Sequence, residues 1–271
     1  MERELLRKVQ MQQLDVAKEI KRVCDENNIQ YFLCFGTMLG AVRHQGFIPW
    51  DDDLDIGMMR SEYERFLEIA PKKLKPEYLV QTWYNTPAYP LPFAKVRKRG
   101  TVYLEGKHSL LEENGFYVDI FPFDSQPATD AERMAANKKL QDLFRTKLMK
   151  CKSKPWMDNG KILWKKRIGY LYYQVKALFA TQKGLARAYD ELATSFPESD
   201  ILFWQEGISK MRKIKRQWCE ELEEFDFEGE RFKGPKAYDE LLTTIYGDYM
   251  QLPPEDQREN RHQIELVDFG E

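Results

Sequence analysis

The sequence predicts a mixed α/β (α+β) fold, a β-sheet core with flanking helices and a helical insert. Three observations point to it. Short apolar runs alternate with amphipathic helical patterns over residues 1–125. A strongly helical stretch follows, from Asp130 to about Phe196. A shorter mixed region begins near Trp218. The expected domains are therefore a core at 1–125, an insert at 126–217 and a C-terminal return at 218–271 that packs on the core.

Residues 2–28 read as a helix. Leu5, Val9, Leu14, Val16, Ile20 and Val23 recur near helical spacing, and the Asn27-Asn28 pair is a plausible stop. "IQYFLCF" (29–35) is short and nearly all apolar, as a buried strand is. "GTMLGAVRH" then reads as a Gly-led turn into a short helix, and "LDIGMM" as a second strand. "SEYERFLEIA" reads as a helix with Ser61 at the N-cap and Glu64 at capping-box spacing. "EYLVQTW" (77–83), "FAKVRKR" (93–99), "TVYLE" (101–105) and "GFYVDIFPF" (115–123) read as further strands. Near the C-terminus, "FEGERFKGP" reads as a hairpin and "KAYDELLTTIYG" as a short helix stopped by Gly247.

The chain of 271 residues, 42% hydrophobic, is long enough to fill a sizeable core. Its net charge of −2 gives no global pull toward nucleic acid, so no nucleic-acid partner is expected. The four cysteines are widely spaced, with no CxxC pair and no Cys/His cluster, which argues against structural zinc and suits a reducing compartment. The N-terminus is charged throughout, unlike a signal peptide, and no apolar run approaches the ~20 residues of a membrane span. The expected location is cytoplasmic.

The chemistry concentrates in "GFIPWDDDLDIGMM" (46–59). In a strand, alternate side chains share a face. Asp53 and Asp55 then become neighbours, Leu54 and Ile56 face the other way, and Asp51 continues the acidic face if the strand extends upstream. Asp119, in "FYVDIF", is placed where an adjacent strand could add another carboxylate. Converging carboxylates repel unless a divalent cation sits among them, and all-oxygen ligation suits Mg²⁺ or Mn²⁺. A solvated acidic loop is the alternative, but such a loop has no need to alternate Asp-Leu-Asp-Ile into an apolar strand. Upstream, Gly36 and Thr37 open a helix whose first N–H groups could receive a phosphate. Alternation puts Lys95, Arg97 and Arg99 on one strand face. Lys95, Arg97 and Arg43 are candidates to clamp a diphosphate, whereas Lys98 and Arg99 suit an ordinary solvated face equally well.

Four motifs in order, "GTMLGAVRHQGFIPWDDDLDIGM", "AKVRKR", "FYVDIFPFD" and "YGDYMQLPP", resemble the LicD family of the nucleotidyltransferase-fold superfamily, related to the fukutin-related sugar-phosphate transferases. The likeness covers most of 15–125 and again about 226–262, while the helical middle carries no matching motif. It implies transfer of phosphocholine from CDP-choline to a sugar hydroxyl of a cell-surface glycopolymer precursor, of teichoic acid or lipopolysaccharide type. Another CDP-alcohol, carrying ribitol or glycerol phosphate, is an alternative donor. An NTP-using nucleotidyltransferase and a non-catalytic binding protein are further alternatives. By residue, Gly36 and Thr37 match the phosphate-binding turn, Asp53 and Asp55 the metal-binding pair, Asp51 the extra acid and Asp119 the later acid. Asp53, Asp55 and Asp119 are thus the expected metal ligands, and Asp51 or Asp119 the candidate proton acceptor.

A quaternary ammonium favours aromatic faces. Trp50, Trp83, Tyr84, Tyr89, Phe93 and Tyr103 are available, with core packing as the alternative for each. His44, in the matched "RHQG", either touches substrate or holds its loop. His108 and His262 show no partner pattern, which leaves them surface or structural roles. Between Arg145 and Lys183 lie eleven basic residues opposed only by Asp158, with aromatics interleaved. Such a stretch either contacts an anionic membrane, where a lipid-linked acceptor would sit, or packs its aromatics and solvates its charges.

Overall fold

The computed structural model describes residues 2–106, 113–152, 157–158, 161–162, 167–204, 213–260, 262 and 264–270. Its centre is a curled mixed sheet. In chain order the elements of the first half are α1 (Arg3–Glu26), β1 (Phe32–Leu33), α2 (Phe35–His44), β2 (Asp55–Met59), α3 (Arg60–Lys73), β3 (Tyr78–Gln81), β4 (Ala94–Lys98), β5 (Val102–Glu105) and β6 (Tyr117–Ser125). Every strand expected before residue 125 is present. The fold is α+β, as the alternation of runs indicated.

The sheet runs β1-β2-β6-β4-β3. Among the described residues only β2 and β6 are parallel, with Asp55 opposite Asp119 and Met59 opposite Phe123. The other pairings are antiparallel, among them Lys95 of β4 opposite Asp119. This register sorts the side chains by parity. Ile56, Met58, Val96, Val118 and Ile120 face one side and are sealed by Val16, Ile20 and Val23 of α1 and Phe66 of α3. Asp55, Lys95 and Asp119 face the other side, followed along β6 by Phe121 and Phe123.

The second half comprises α4 (Asp130–Lys150), the two-residue strands β7 (Met157–Asp158) and β8 (Lys161–Ile162), α5 (Arg167–Leu178), α6 (Gln182–Ala193), β9 (Ile201–Trp204), β10 (Ile214–Lys215) and α7 (Arg216–Glu220). The chain ends with β11 (Leu222–Phe227), β12 (Glu230–Pro235), α8 (Tyr238–Tyr246) and β13 (Ile264–Asp268). The stretch expected to be a helical insert also returns two strands. β9 pairs with the last three residues of β6, and β10 pairs with β9. Trp204 and Ile214 thereby join Phe121 and Phe123 in a second apolar cluster. The C-terminal return packs on the core in two places: β13 pairs with β5, and Phe227, Phe232 and Leu242 enter the main core.

Local signals explain most boundaries. Thr129 caps α4 through a reciprocal capping box with Glu132. Glu228 and Gly229 link β11 to β12 with positive φ at both residues, the turn that two-residue hairpins favour. Gly247 ends α8 as expected. Ser61 does not cap α3. That helix starts at Arg60, directly off β2, with no side-chain cap, so Ser61 lies inside its first turn. The strand before it fixes the chain direction and replaces the cap signal.

Candidate active site

The acidic segment is held from beneath. Gln10 and Gln13, both buried on the inner face of α1, donate from Nε2 to backbone carbonyls of the loop: Gln10 to Asp51 (2.9 Å) and Ile48 (3.3 Å), Gln13 to Asp52 (2.7 Å). Glu228, in the hairpin turn, accepts the Phe47 N–H (3.0 Å) and pairs with Arg7 (2.5 Å). The loop is thus fixed from two sides before any ligand arrives.

On this support the predicted residues converge. Thr37 Oγ1 accepts the Asp55 N–H at 2.8 Å, and the Cys34 N–H donates to the Asp55 carbonyl at 3.2 Å, which ties the start of α2 to the start of β2. Gly36 leaves room for Asp51: a β-carbon there would lie 2.6 Å from Asp51 Oδ2. Asp51 therefore sits against the first turn of α2, the positive end of that helix. Phe35, the first helical residue, has φ +49°, a left-handed conformation unusual for a bulky side chain. Its ring is locked against Phe121 (centroids 5.1 Å apart) and Trp204 (5.0 Å). Packing of the second cluster thus holds the strained turn in place.

Asp119 completes the group. Lys95 Nζ lies 2.9 Å from Asp119 Oδ1 and 3.8 Å from Glu105, and stands over the Tyr117 ring, 3.2 Å from its centroid. Burial, reinforced by the charges of Asp53, Asp119 and Asp51, pushes the Asp55 carboxyl well above the usual range. Burial likewise pushes Asp119 up to about 6, against the opposing pull of Lys95. Carboxylates this costly to ionise, with oxygen as the donor atom throughout, fit a divalent cation such as Mg²⁺ or Mn²⁺.

Among the described residues, the three acids whose oxygens lie within 4.8 Å of one another are Asp51, Asp52 and Asp53. Asp52 has a different task from its neighbours. It is fully buried, its Oδ1 lies 3.0 Å from His262 Nδ1, and the Tyr103 hydroxyl donates to its carbonyl at 3.3 Å. Burial lowers the His262 pKa, but the Asp52 hydrogen bond and the charges of Asp53 and Glu105 outweigh it and raise it to about 9. His262 therefore has a structural role, with a partner that the sequence did not name. That pairing joins residues 210 positions apart, and no local spacing announces it. The inner-face glutamines were also missed, although Gln10 and Gln13 stand on the apolar stripe of α1, where uncharged polar residues need a buried partner.

The remaining candidates do not join the acids. Arg97 is buried, donating to Gln81 Oε1 and to the Gly115 carbonyl, both at 2.7 Å. Arg43 donates to the Tyr249 carbonyl at 2.6 Å from the last turn of α2, the end opposite Gly36. His44 and Trp50 make an edge contact there, centroids 6.3 Å apart, and Arg258 stands 5.5 Å from the Trp50 ring. Burial and then Arg43 lower the His44 pKa. Lys98 and Arg99 pair with Asp15 (2.7 Å) and Glu113 (3.0 Å), as an ordinary basic face does. Of the aromatic candidates, Tyr89 and Tyr103 are core residues and Tyr84 is exposed. His108 lies outside the described residues. Beside the sheet, a cavity of about 310 Å³ is lined by Trp83, Tyr84, Phe93, Arg187 and Asp190 among others. Neither Lys95 nor any of the site carboxylates lines this cavity.

Residues 28–142 match the LicD/FKTN/FKRP nucleotidyltransferase domain. Over 269 residues the chain is 29% identical to the lipopolysaccharide cholinephosphotransferase LicD of Haemophilus influenzae, an alignment spanning 95% of this chain and 96% of that protein. Over 55 residues it is 51% identical to an uncharacterised protein of Rickettsia typhi, spanning 20% of this chain and 18% of that one. An uncharacterised protein of Rickettsia prowazekii is 49% identical over 55 residues, 20% of this chain and 21% of that protein.

Proposed function

We propose that the chain is a LicD-like protein, a metal-dependent transferase moving phosphocholine from CDP-choline to a sugar hydroxyl of a cell-surface glycan precursor. The observation that carries this reading is the pairing of Asp55 with Asp119 across the parallel strands β2 and β6, beside an Asp51 carboxylate seated in the space Gly36 leaves at the first turn of α2. The named activity of the Haemophilus relative, aligned over nearly all of both chains, supports phosphocholine and a glycan acceptor.

Asp53, Asp55 and Asp119 would hold Mg²⁺ or Mn²⁺, with Asp51 beside them. The ion, when bound, supplies positive charge to neutralise the diphosphate and the departing CMP. The N–H groups of the α2 first turn supply a second positive region for phosphate oxygens. Lys95 holds the Asp119 carboxylate in place. The acceptor hydroxyl oxygen forms a bond to the choline-bearing phosphorus, the bond from that phosphorus to the CMP oxygen breaks, and the acceptor proton passes to Asp51 or Asp119. Positioning and charge stabilisation carry such transfers. The cavity lined by Trp83, Tyr84 and Asp190 suits a sugar, with aromatic faces for its C–H surface and a carboxylate for its hydroxyls.

The test is CMP release from CDP-choline with lipopolysaccharide or a teichoic acid repeat as acceptor, with Mg²⁺ and with EDTA. Phosphocholine is read on the acceptor by mass spectrometry. Metal-dependent transfer supports the reading. Transfer from CDP-ribitol or CDP-glycerol alone would change the group moved, and pyrophosphate release from an NTP would replace the reaction.

A further inference from the structure

Helix α5 presents an apolar face that, among the described residues, nothing covers. Ile168, Leu171, Tyr172, Val175, Leu178 and Phe179 recur at i, i+3, i+4, i+7, i+10 and i+11, the spacing of one helical face. All six are exposed, from 48% at Val175 to 87% at Phe179. The opposite face seats the helix: Ala177 is buried and Tyr170 and Tyr173 are half-buried. Lys176 pairs with Asp142 of α4, and Lys150 of α4 donates to the Ala177 carbonyl at 3.0 Å. Among the described residues, then, α5 is seated by one face and leaves the stripe on the other.

The charge around the stripe selects its partner. Residues 145–183 contain eleven lysines and arginines against one acid, in a chain whose net charge is −2. Lys176 stands beside the stripe, 5.4 Å from the Tyr172 ring centroid, and Lys183 is exposed at the start of α6. An apolar helical face in so basic a stretch of sequence suits anionic headgroups over acyl chains. Size argues against a second copy of the chain. A 12-residue helix is ~18 Å long and ~10 Å wide, so its face covers ~200 Å², whereas a stable protein interface buries ~800 Å² per partner. Among the described residues no helix is long and apolar enough to cross a membrane, so α5 would lie in the interface plane.

We propose that α5 docks the protein on an anionic lipid surface, with Ile168, Leu171, Tyr172, Val175, Leu178 and Phe179 entering the headgroup boundary. This depends on neither donor nor acceptor and stands apart from the transferase reading. The test is co-sedimentation of the full chain with phosphatidylcholine vesicles, with and without phosphatidylglycerol, comparing wild type with Leu171→Ser/Leu178→Ser/Phe179→Ser. The wild type should partition onto the anionic vesicles and weaken as salt rises, and the triple variant should bind at least ~10-fold less. The single variant Phe179→Ser, at the most exposed of the six positions, guards against misfolding and should weaken binding in the same direction. Equal partitioning of wild type and variants, or no binding by the wild type, would overturn the proposal. So would a wild-type dimer in sedimentation velocity that the triple variant dissociates, which would assign the stripe to a second copy.

Discussion

Asp51 and Gly36 occupy each other's space: the Asp51 carboxylate lies where a side chain on residue 36 would begin, 2.6 Å from the β-carbon position. The first turn of α2 and the acidic loop are therefore one unit. Gly36→Ala should displace Asp51 and lower turnover at least ~10²-fold, the scale of losing one key electrostatic group. Its stability cost should largely vanish in an Asp51→Ala background, because the clash is gone. Thermal melts of the two single variants and the double variant check this. Additive losses would mean that the two residues do not meet.

The acids oppose folding until a cation joins them. Asp55 and Asp119 both have raised carboxyl pKa values, so their ionisation costs the folded state. The sign follows: without metal, stability should fall as pH rises from ~4, the unfolded aspartate value, through the folded value of about 6 for Asp119. Asp55→Asn should accordingly raise the Tm of the metal-free protein by ~2–4 °C while abolishing activity. Melts in EDTA across that pH range test it, and a destabilised Asp55→Asn would count against the arrangement.

Lys95 is the single buried cation on Asp119 among the described residues. Lys95→Met should cost ~3–5 kcal/mol of unfolding free energy, because it strands buried carboxylates. Mg²⁺ should recover part of the loss. Denaturant unfolding with and without Mg²⁺ measures both quantities.

His262 fastens the C-terminal segment to Asp52. Its pKa is raised, so its contribution is complete below the unfolded value of ~6.5 and disappears as pH rises through about 9. His262→Gln should lower Tm by ~2–4 °C near pH 6, and the gap to wild type should narrow above pH 9. A gap independent of pH would mean that the imidazole acts through packing alone.

The strands of the core were legible because apolar runs and alternation report burial directly. Asp51, Asp53 and Asp55 were legible because they lie within five residues at one strand start. What escaped was long-range. β9 returns from the far side of α6 to pair with Phe123–Ser125, which no local pattern encodes. Arg97 has the same alternation as Lys95, yet Gln81 and Gly115 claim it, because the register sets it opposite Tyr117 and not opposite Asp119. Arg43 went to the Tyr249 carbonyl, a partner 206 positions away. Spacing gives the face a residue occupies, and tertiary packing decides what it meets there.

The most direct test of the central claim is calorimetric titration of CDP-choline into the wild type in Mg²⁺, the wild type in EDTA, and Asp55→Asn in Mg²⁺. The expected result is saturable binding in the first case, with at least ~10²-fold weaker binding in the other two. CDP-choline binding that ignores both EDTA and the Asp55 substitution would contradict a metal-dependent donor site at these carboxylates.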